Sequence, residues 1–295
     1  MKRHALTRRD FLKGTAGLVA ATALGPVLPS KGGAEESAKV VLVRNRDVLG
    51  PAGEIRPSVL QSMLDEGITK LLGKDGHLKA WQSLFRKSDV VGIKTNAWRN
   101  LPTPPEMEEA IHRRLLDVGI GEENIAVADR GVLENPVFLR STALVNTRPV
   151  RSHHWAGVGT LIKNYIQFVP HPADYHPNAC ADLGRIWTLP VVAGKTRLNV
   201  LVALTPQFYG RGASFFDKRF VWPYKGIIVG TDPVAVDAVG AEILRLKRIA
   251  SFGEDRPLDV EPIHIAVADK KYHLGVSDLS RIQIVKVGWT DESLV

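Results

Sequence analysis

The chain has a single cysteine, Cys180, among 295 residues, and that shortage excludes more than most motifs do. One thiol cannot close an intrachain disulfide. Nor can it hold an iron–sulfur cluster by itself, which takes about four thiolates. A membrane-spanning run is missing too. The apolar stretch from Gly14 to Leu28 reaches only about 22 Å as a helix, at roughly 1.5 Å per residue, short of a comfortable span. Beyond this leader the chain shows no internal repeat and no low-complexity segment.

Surplus charge is scarce once the first segment is set aside. Residues 7 to 13 read Thr-Arg-Arg-Asp-Phe-Leu-Lys and lead into the apolar run, the pattern of a twin-arginine export signal, with Gly32-Gly33-Ala34 as a small-residue cleavage site. Lys2, Arg3, Arg8, Arg9, Lys13 and Lys31 stand there against Asp10, a net +5, so the formal +8 falls to +3 for the rest. The basic character belongs mostly to the address, which leaves no electrostatic footprint for nucleic acid. The expectation is a signal peptide over 1–34 and an α/β unit over 35–295. The mature protein is then periplasmic or extracellular and meets the membrane only during export. Twin-arginine export carries folded proteins, a hint that a cofactor is inserted before transit.

From Lys39 the periodicity alternates between strand and helix. Val40 to Val43 is a short apolar strand, and Leu60, Met63, Leu64, Ile68 and Leu71 fall at helical spacing before Gly73. Asp89 to Asn96 reads as a buried strand. Thr103-Pro-Pro-Glu106 has the form of a capping box opening a helix to about Val118, and Asn124 to Asp129 is the next strand. That order predicts a parallel pair. Gly226 to Gly230 is a strand followed by a buried helix, with Asp232 as its cap and Asp237 inside it, owing a polar pocket or a basic partner. Ile263–Ala268 and Ile282–Val287 look like closing strands. The fold class expected is α/β: a mixed, largely parallel sheet flanked by helices, in one large domain or two closely packed lobes.

Ligands in such sheets sit beyond the carboxyl ends of the strands. Lys94, Asn96 and Asp129 stand at such ends, and read equally as a Lys–Asp salt bridge plus an asparagine turn. The stretch from Arg151 to Gly184 holds four of the nine histidines, His153, His154, His171 and His176, with Lys163, Asn164 and Cys180. Polar side chains amid Ala156, Val158, Leu161 and Ile162 need partners or a ligand. The alternative is a histidine-rich surface loop with a short amphipathic helix. The loop over 207–224, rich in glycine and aromatics, suits a lid or an interaction surface, with about half its rings as core anchors.

Several segments together resemble the family catalogued as domain of unknown function 362. They are Val91-Gly-Ile-Lys-Thr-Asn96, His153-x-x-Ala-Gly-Val with Lys163-Asn164, His176 in the loop after it, Gly230-Thr-Asp-Pro-Val-Ala-Val-Asp-Ala-Val239, and Leu274-Gly-Val-Ser-Asp-Leu279. Many relatives carry ferredoxin-like cysteine sets, and this chain has none, so any iron–sulfur role would need a redox partner protein. His153-x-x-Ala-Gly-x5-Lys163 is also similar to a motif of the lactate racemase family. That likeness implies Lys163 as the tether of a nickel-containing nucleotide, His176 as the metal ligand and His153 as an acid–base group.

The resulting expectation is an exported metal- or cofactor-dependent enzyme, redox or isomerase-like, on a small polar substrate. His153 and Lys163 would be catalytic, Lys94, Asn96, Asp129, Asn164 and Asp237 would bind cofactor, and His176 would bind metal. A non-catalytic periplasmic carrier of a metal or small ligand, or an accessory to an electron-transfer complex, is the rival. An interaction role resting on the 207–224 loop stands third.

Overall fold

The structure is a computed structural model that describes residues 37–295; the expected signal segment and its cleavage site lie outside the described residues. Eight strands form one sheet: β1 Ala38–Arg44, β2 Val91–Lys94, β3 Ile125–Ala128, β4 Ala143–His153, β5 Gly157–Gly159, β6 Thr196–Gln207, β7 Gly226–Gly230 and β8 Ile282–Gly288. The order is β3-β2-β4-β6-β7-β1-β8, and β5 pairs with β4. β2 is parallel to β3 and β4, β4 to β6, and β1 to β8; β7 runs antiparallel to both its neighbours, as does β5 to β4. One continuous sheet makes this a single domain and not two lobes.

The strands read as apolar runs because both sheet faces are covered. Side chains of β1 alternate, Val40 and Leu42 entering one core cluster and Val41 and Val43 the other. The second cluster is roofed by α1 (Pro57–Leu72), α2 (His77–Leu84) and α3 (Pro105–Val118), through Leu60, Leu64, Ile68, Trp81, Ile111 and Leu115. The first is covered by later elements: α4 (Pro136–Leu139), α5 (Leu161–Asn164), α6 (Pro177–Cys180), α7 (Pro233–Phe252) and α8 (Ile263–Lys270). The α7 cap is as expected, with Asp232 Oδ1 accepting from Val234 N and Ala235 N.

Two expectations are corrected. Ile263–Ala268 is the helix α8, not a strand: His264, Ile265 and Ala268 share its buried face at helical spacing. The capping box at α3 is absent. Pro104 occupies the cap position, while the Thr103 hydroxyl accepts from Asn96 N and donates to Thr147 O. In addition β4, the longest strand but one, had no counterpart in the sequence pattern. It carries Asn146, Thr147, Arg148, Arg151 and Ser152, all buried.

Candidate functional site

The carboxyl ends of β2, β3 and β4 meet on one side of the sheet, where a cavity of about 150 Å³ opens. Asn96 follows β2, Asp129 follows β3, and β4 contributes Arg148, Arg151 and His153. Residues three apart on a regular strand face opposite ways. The register of β4 on β6 shifts between Pro149 and Arg151, and through that irregularity Arg148 and Arg151 line the same cavity.

The inner wall is cationic. Lys94 lies behind it, wholly buried, with Nζ 2.8 Å from Asp129 Oδ1, 2.7 Å from Thr95 O and 3.4 Å from Asn164 Oδ1. Burial brings Lys94 down to about 8 and Asp129 opposes it, while Lys94 holds Asp129 below the ordinary carboxylate range despite its own burial. The expected salt bridge therefore exists and also forms part of the site. Arg151 donates to Asn96 Oδ1 at 2.9 Å and to Leu101 O. Arg148 is different. Only 4 % exposed, it makes no hydrogen bond among the described residues, and burial lowers it to about 10. Gly159 explains how it fits: a Cβ there would stand 2.9 Å from Arg148 Nη2. The missing side chain at Gly159 leaves room for the guanidinium.

Lys163 stands on α5, 3 % exposed, with Nζ 3.5 Å from Cys180 Sγ and no ion pair to any carboxylate among the described residues. Desolvation lowers it to about 8, helped by Arg148, while the neighbouring thiol opposes. Burial conversely raises Cys180. The other wall is aromatic. The His153 and His154 rings stack at 4.9 Å, Trp155 lies 4.4 Å from His154, and His176 lies 4.0 Å from Trp155. Burial and the surrounding cations keep His153 neutral, and burial brings His176 down to about 4. Trp155 N donates to His153 Nδ1 at 3.2 Å, which leaves the proton of the neutral ring on Nε2. Asn178, Ala179 and Cys180, with φ of 50°, 53° and 62°, turn left-handed in succession where the chain brings His176 and Cys180 towards Lys163. Strain of this kind, about 1–2 kcal/mol per residue, is characteristic of functional segments.

Of the expected site residues, Asn96, Asp129, His153, Lys163, Asn164 and His176 line the cavity. Lys94 backs it. Asp237 does not line it: its carboxylate accepts from Thr160 Oγ1 (2.6 Å), Leu161 N (2.8 Å) and Ile162 N (2.8 Å), all at the start of α5. Asp237 therefore holds the helix that presents Lys163 and Asn164, and the expected ligand contact is corrected to a positioning role. Asn164 anchors the same helix, donating to Lys94 O, Asn146 Oδ1 and Thr147 O. The 207–224 loop divides as expected. Phe208, Tyr209 and Trp222 pack on the core, Phe215 and Phe216 are exposed, and Ala213 and Ser214 reach the cavity. Arg148 and Arg151 were not anticipated; two arginines within an apolar run were the available signal.

The nickel nucleotide implied by the lactate racemase likeness finds no direct support in these residues. Among the described residues no three histidine, cysteine or carboxylate groups gather in a way that could hold a metal ion, and His176 packs its ring on Trp155. The cavity is also smaller than the roughly 300–1,000 Å³ of pockets for drug-sized ligands. No helix of the described residues is long and apolar enough to cross a membrane.

Comparison with known proteins gives two matches by family. Residues 5–25 match the twin-arginine translocation pathway signal sequence, which marks the chain for export across the membrane to the periplasm or beyond. No curated protein and no solved structure matches. The second family match runs from α4 into α7 and takes in β4, the aromatic wall, Lys163 and Asp237. Residues 135–242 of this exported chain thus match the family described as domain of unknown function (DUF362).

Proposed function

We propose that the mature protein is an enzyme that binds a small organic anion in this cavity and works on it with Lys163 and His153. One observation carries the proposal: Arg148 is a buried guanidinium with no hydrogen-bond partner among the described residues, beside a cavity. An unpaired buried charge costs several kcal/mol, and a bound carboxylate or other oxyanion relieves that cost through paired, charge-assisted hydrogen bonds. Arg151 and Lys163 add to the field, and the one carboxylate in the wall, Asp129, is already engaged by Lys94. The cavity size limits the ligand to a compact molecule. Lys163 and His153 share the cavity in unlike protonation tendencies, an amine brought down to about 8 and a neutral imidazole, which suits acid–base catalysis.

The test is calorimetric titration of the mature protein with oxalate, using the uncharged isostere oxamide as control. Oxalate should bind and oxamide should not. Arg148→Gln should weaken oxalate at least tenfold, since a hydrogen-bonded charged partner contributes about 1.5–3 kcal/mol. Absence of oxalate binding to the wild type would remove the proposal. Exchange of deuterium from solvent into the carbon beside the carboxylate of bound small acids, followed by NMR, separates an enzyme from a carrier. A carrier binds without exchange.

A further inference from the structure

We propose that Lys163 is a carbonyl-condensing amine: the cavity takes a 2-oxo acid, Arg148 receives its carboxylate, and Lys163 Nζ forms an imine with its ketone. This rests on the anion-binding proposal above and adds the covalent step. Three observations support it. Lys163 lies in the wall of the cavity beside Arg148, so a molecule that carries a carboxylate next to a carbonyl can meet both. Among the described residues its Nζ has only a thiol for a partner, at 3.5 Å, where a structural buried lysine would own a carboxylate, as Lys94 owns Asp129. Finally, a lysine attacks only as the neutral amine, and burial with Arg148 nearby lowers Lys163 to about 8. Roughly a tenth of it is then neutral at pH 7, against less than about a thousandth of an ordinary lysine.

The chemistry balances without an oxidant. The lone pair of Nζ attacks the ketone carbon, a C–N bond forms and the carbonyl π bond opens to a carbinolamine. Its oxygen then departs as water carrying both protons of the amine, and the C=N bond closes. The His153 ring lines the same cavity with its proton on Nε2, placed to donate a hydrogen bond to the departing oxygen as it takes up the amine protons. Cys180 is no rival nucleophile: burial raises its thiol, and it is not among the cavity-lining side chains.

Full mature protein is incubated with pyruvate and cyanoborohydride, then analysed by intact mass and peptide mapping. The expected product gains one pyruvate less one water plus two hydrogens, on Lys163 at least tenfold over any other lysine. Oxalate, which has no ketone, should suppress this trapping in the wild type, a control that needs no variant. Lys163→Arg, checked for folding by circular dichroism, should give no adduct. If pyruvate and oxalate bind but Lys163 is not trapped, or if adducts fall equally on surface lysines, the imine is overturned and anion binding survives. If neither acid binds, both proposals fail together.

Discussion

Asp237→Asn is the sharpest probe of how the site is held. The wild-type carboxylate serves Leu161 N through Oδ1, and Thr160 Oγ1 and Ile162 N through Oδ2, with no exposure to water. An amide has one acceptor and one donor end. Whichever way it turns, its NH2 faces a backbone N–H of α5, leaving one buried donor unsatisfied at a cost of about 1–3 kcal/mol. Taking about 2 kcal/mol, and a urea dependence near 3 kcal/mol per molar, the unfolding midpoint should fall by roughly 0.7 M. The sign of the pH dependence follows from burial, which raises Asp237 to about 7 from an unfolded value near 4. The folded state keeps that proton while the unfolded state loses it. The wild type therefore carries an extra stabilisation that is full below about pH 4 and is lost as pH rises through 7. The amide of the Asp237→Asn variant has no such proton, so the gap between the two proteins should narrow from pH 5 to pH 8. Oxalate affinity should drop in parallel, because α5 carries Lys163 and Asn164. Equal midpoints at both pH values, with unchanged oxalate affinity, would refute the positioning role.

Replacing Arg8 and Arg9 with lysine should leave precursor in the cytoplasm, because the export receptor reads the arginine pair and not charge alone; normal export on fractionation would contradict the signal assignment. Asp232→Ala should cost more than a simple cap. It loses the N–H groups of Val234 and Ala235, about 1–2 kcal/mol, and also orphans Val276 N, which Oδ2 holds at 2.8 Å, for a further 1–3 or so, read from urea midpoints. Oxalate affinity should fall as pH rises through about 8, where the Lys163 ammonium loses its charge, and Lys163→Arg should flatten that dependence in calorimetric titrations.

Much of the fold was legible because most elements follow a clean period. β1, α1, the β2–α3–β3 unit, and β7 with α7 pair apolar periodicity with flanking glycine, proline or a cap residue. Two of the elements that were not legible were hidden for different reasons. In Ile263–Ala268 the alternation Ile-His-Ile-Ala imitates a strand, and only packing decides that His264, Ile265 and Ala268 share a helical face. In β4 half of the buried positions are polar and interrupt the apolar run, so the strand lacks the continuous signature that marks its neighbours. The same polarity hid half of the site. Lys94, Asn96 and Asp129 could be placed at strand ends by counting, and the histidines by clustering. Arg148 and Arg151 come to one cavity through a register irregularity against β6, a strand about fifty residues later in the chain. Asp237 was recognisable as a residue needing partners; that its partners are the backbone of α5 depends on long-range packing.

The charge arrangement of the cavity yields a last expectation. Lys94, Arg148, Arg151 and Lys163 are all buried, and the salt bridge of Lys94 engages Asp129, the carboxylate that lines the cavity. Burial lowers every one of the four, so each cation costs the fold something in the absence of a ligand. A purely structural polar network would be worth keeping only if fully paired, and among the described residues Arg148 is not. Replacing a poorly compensated buried charge by an apolar side chain of similar length is commonly neutral or stabilising by about 1–4 kcal/mol. Arg148→Met should therefore raise the unfolding temperature of ligand-free protein while abolishing its response to oxalate. Stability given up at a residue that binds ligand is the usual trade at functional sites. If Arg148→Met instead unfolds at lower temperature and oxalate still protects it, the guanidinium supports the fold and the anion sits elsewhere.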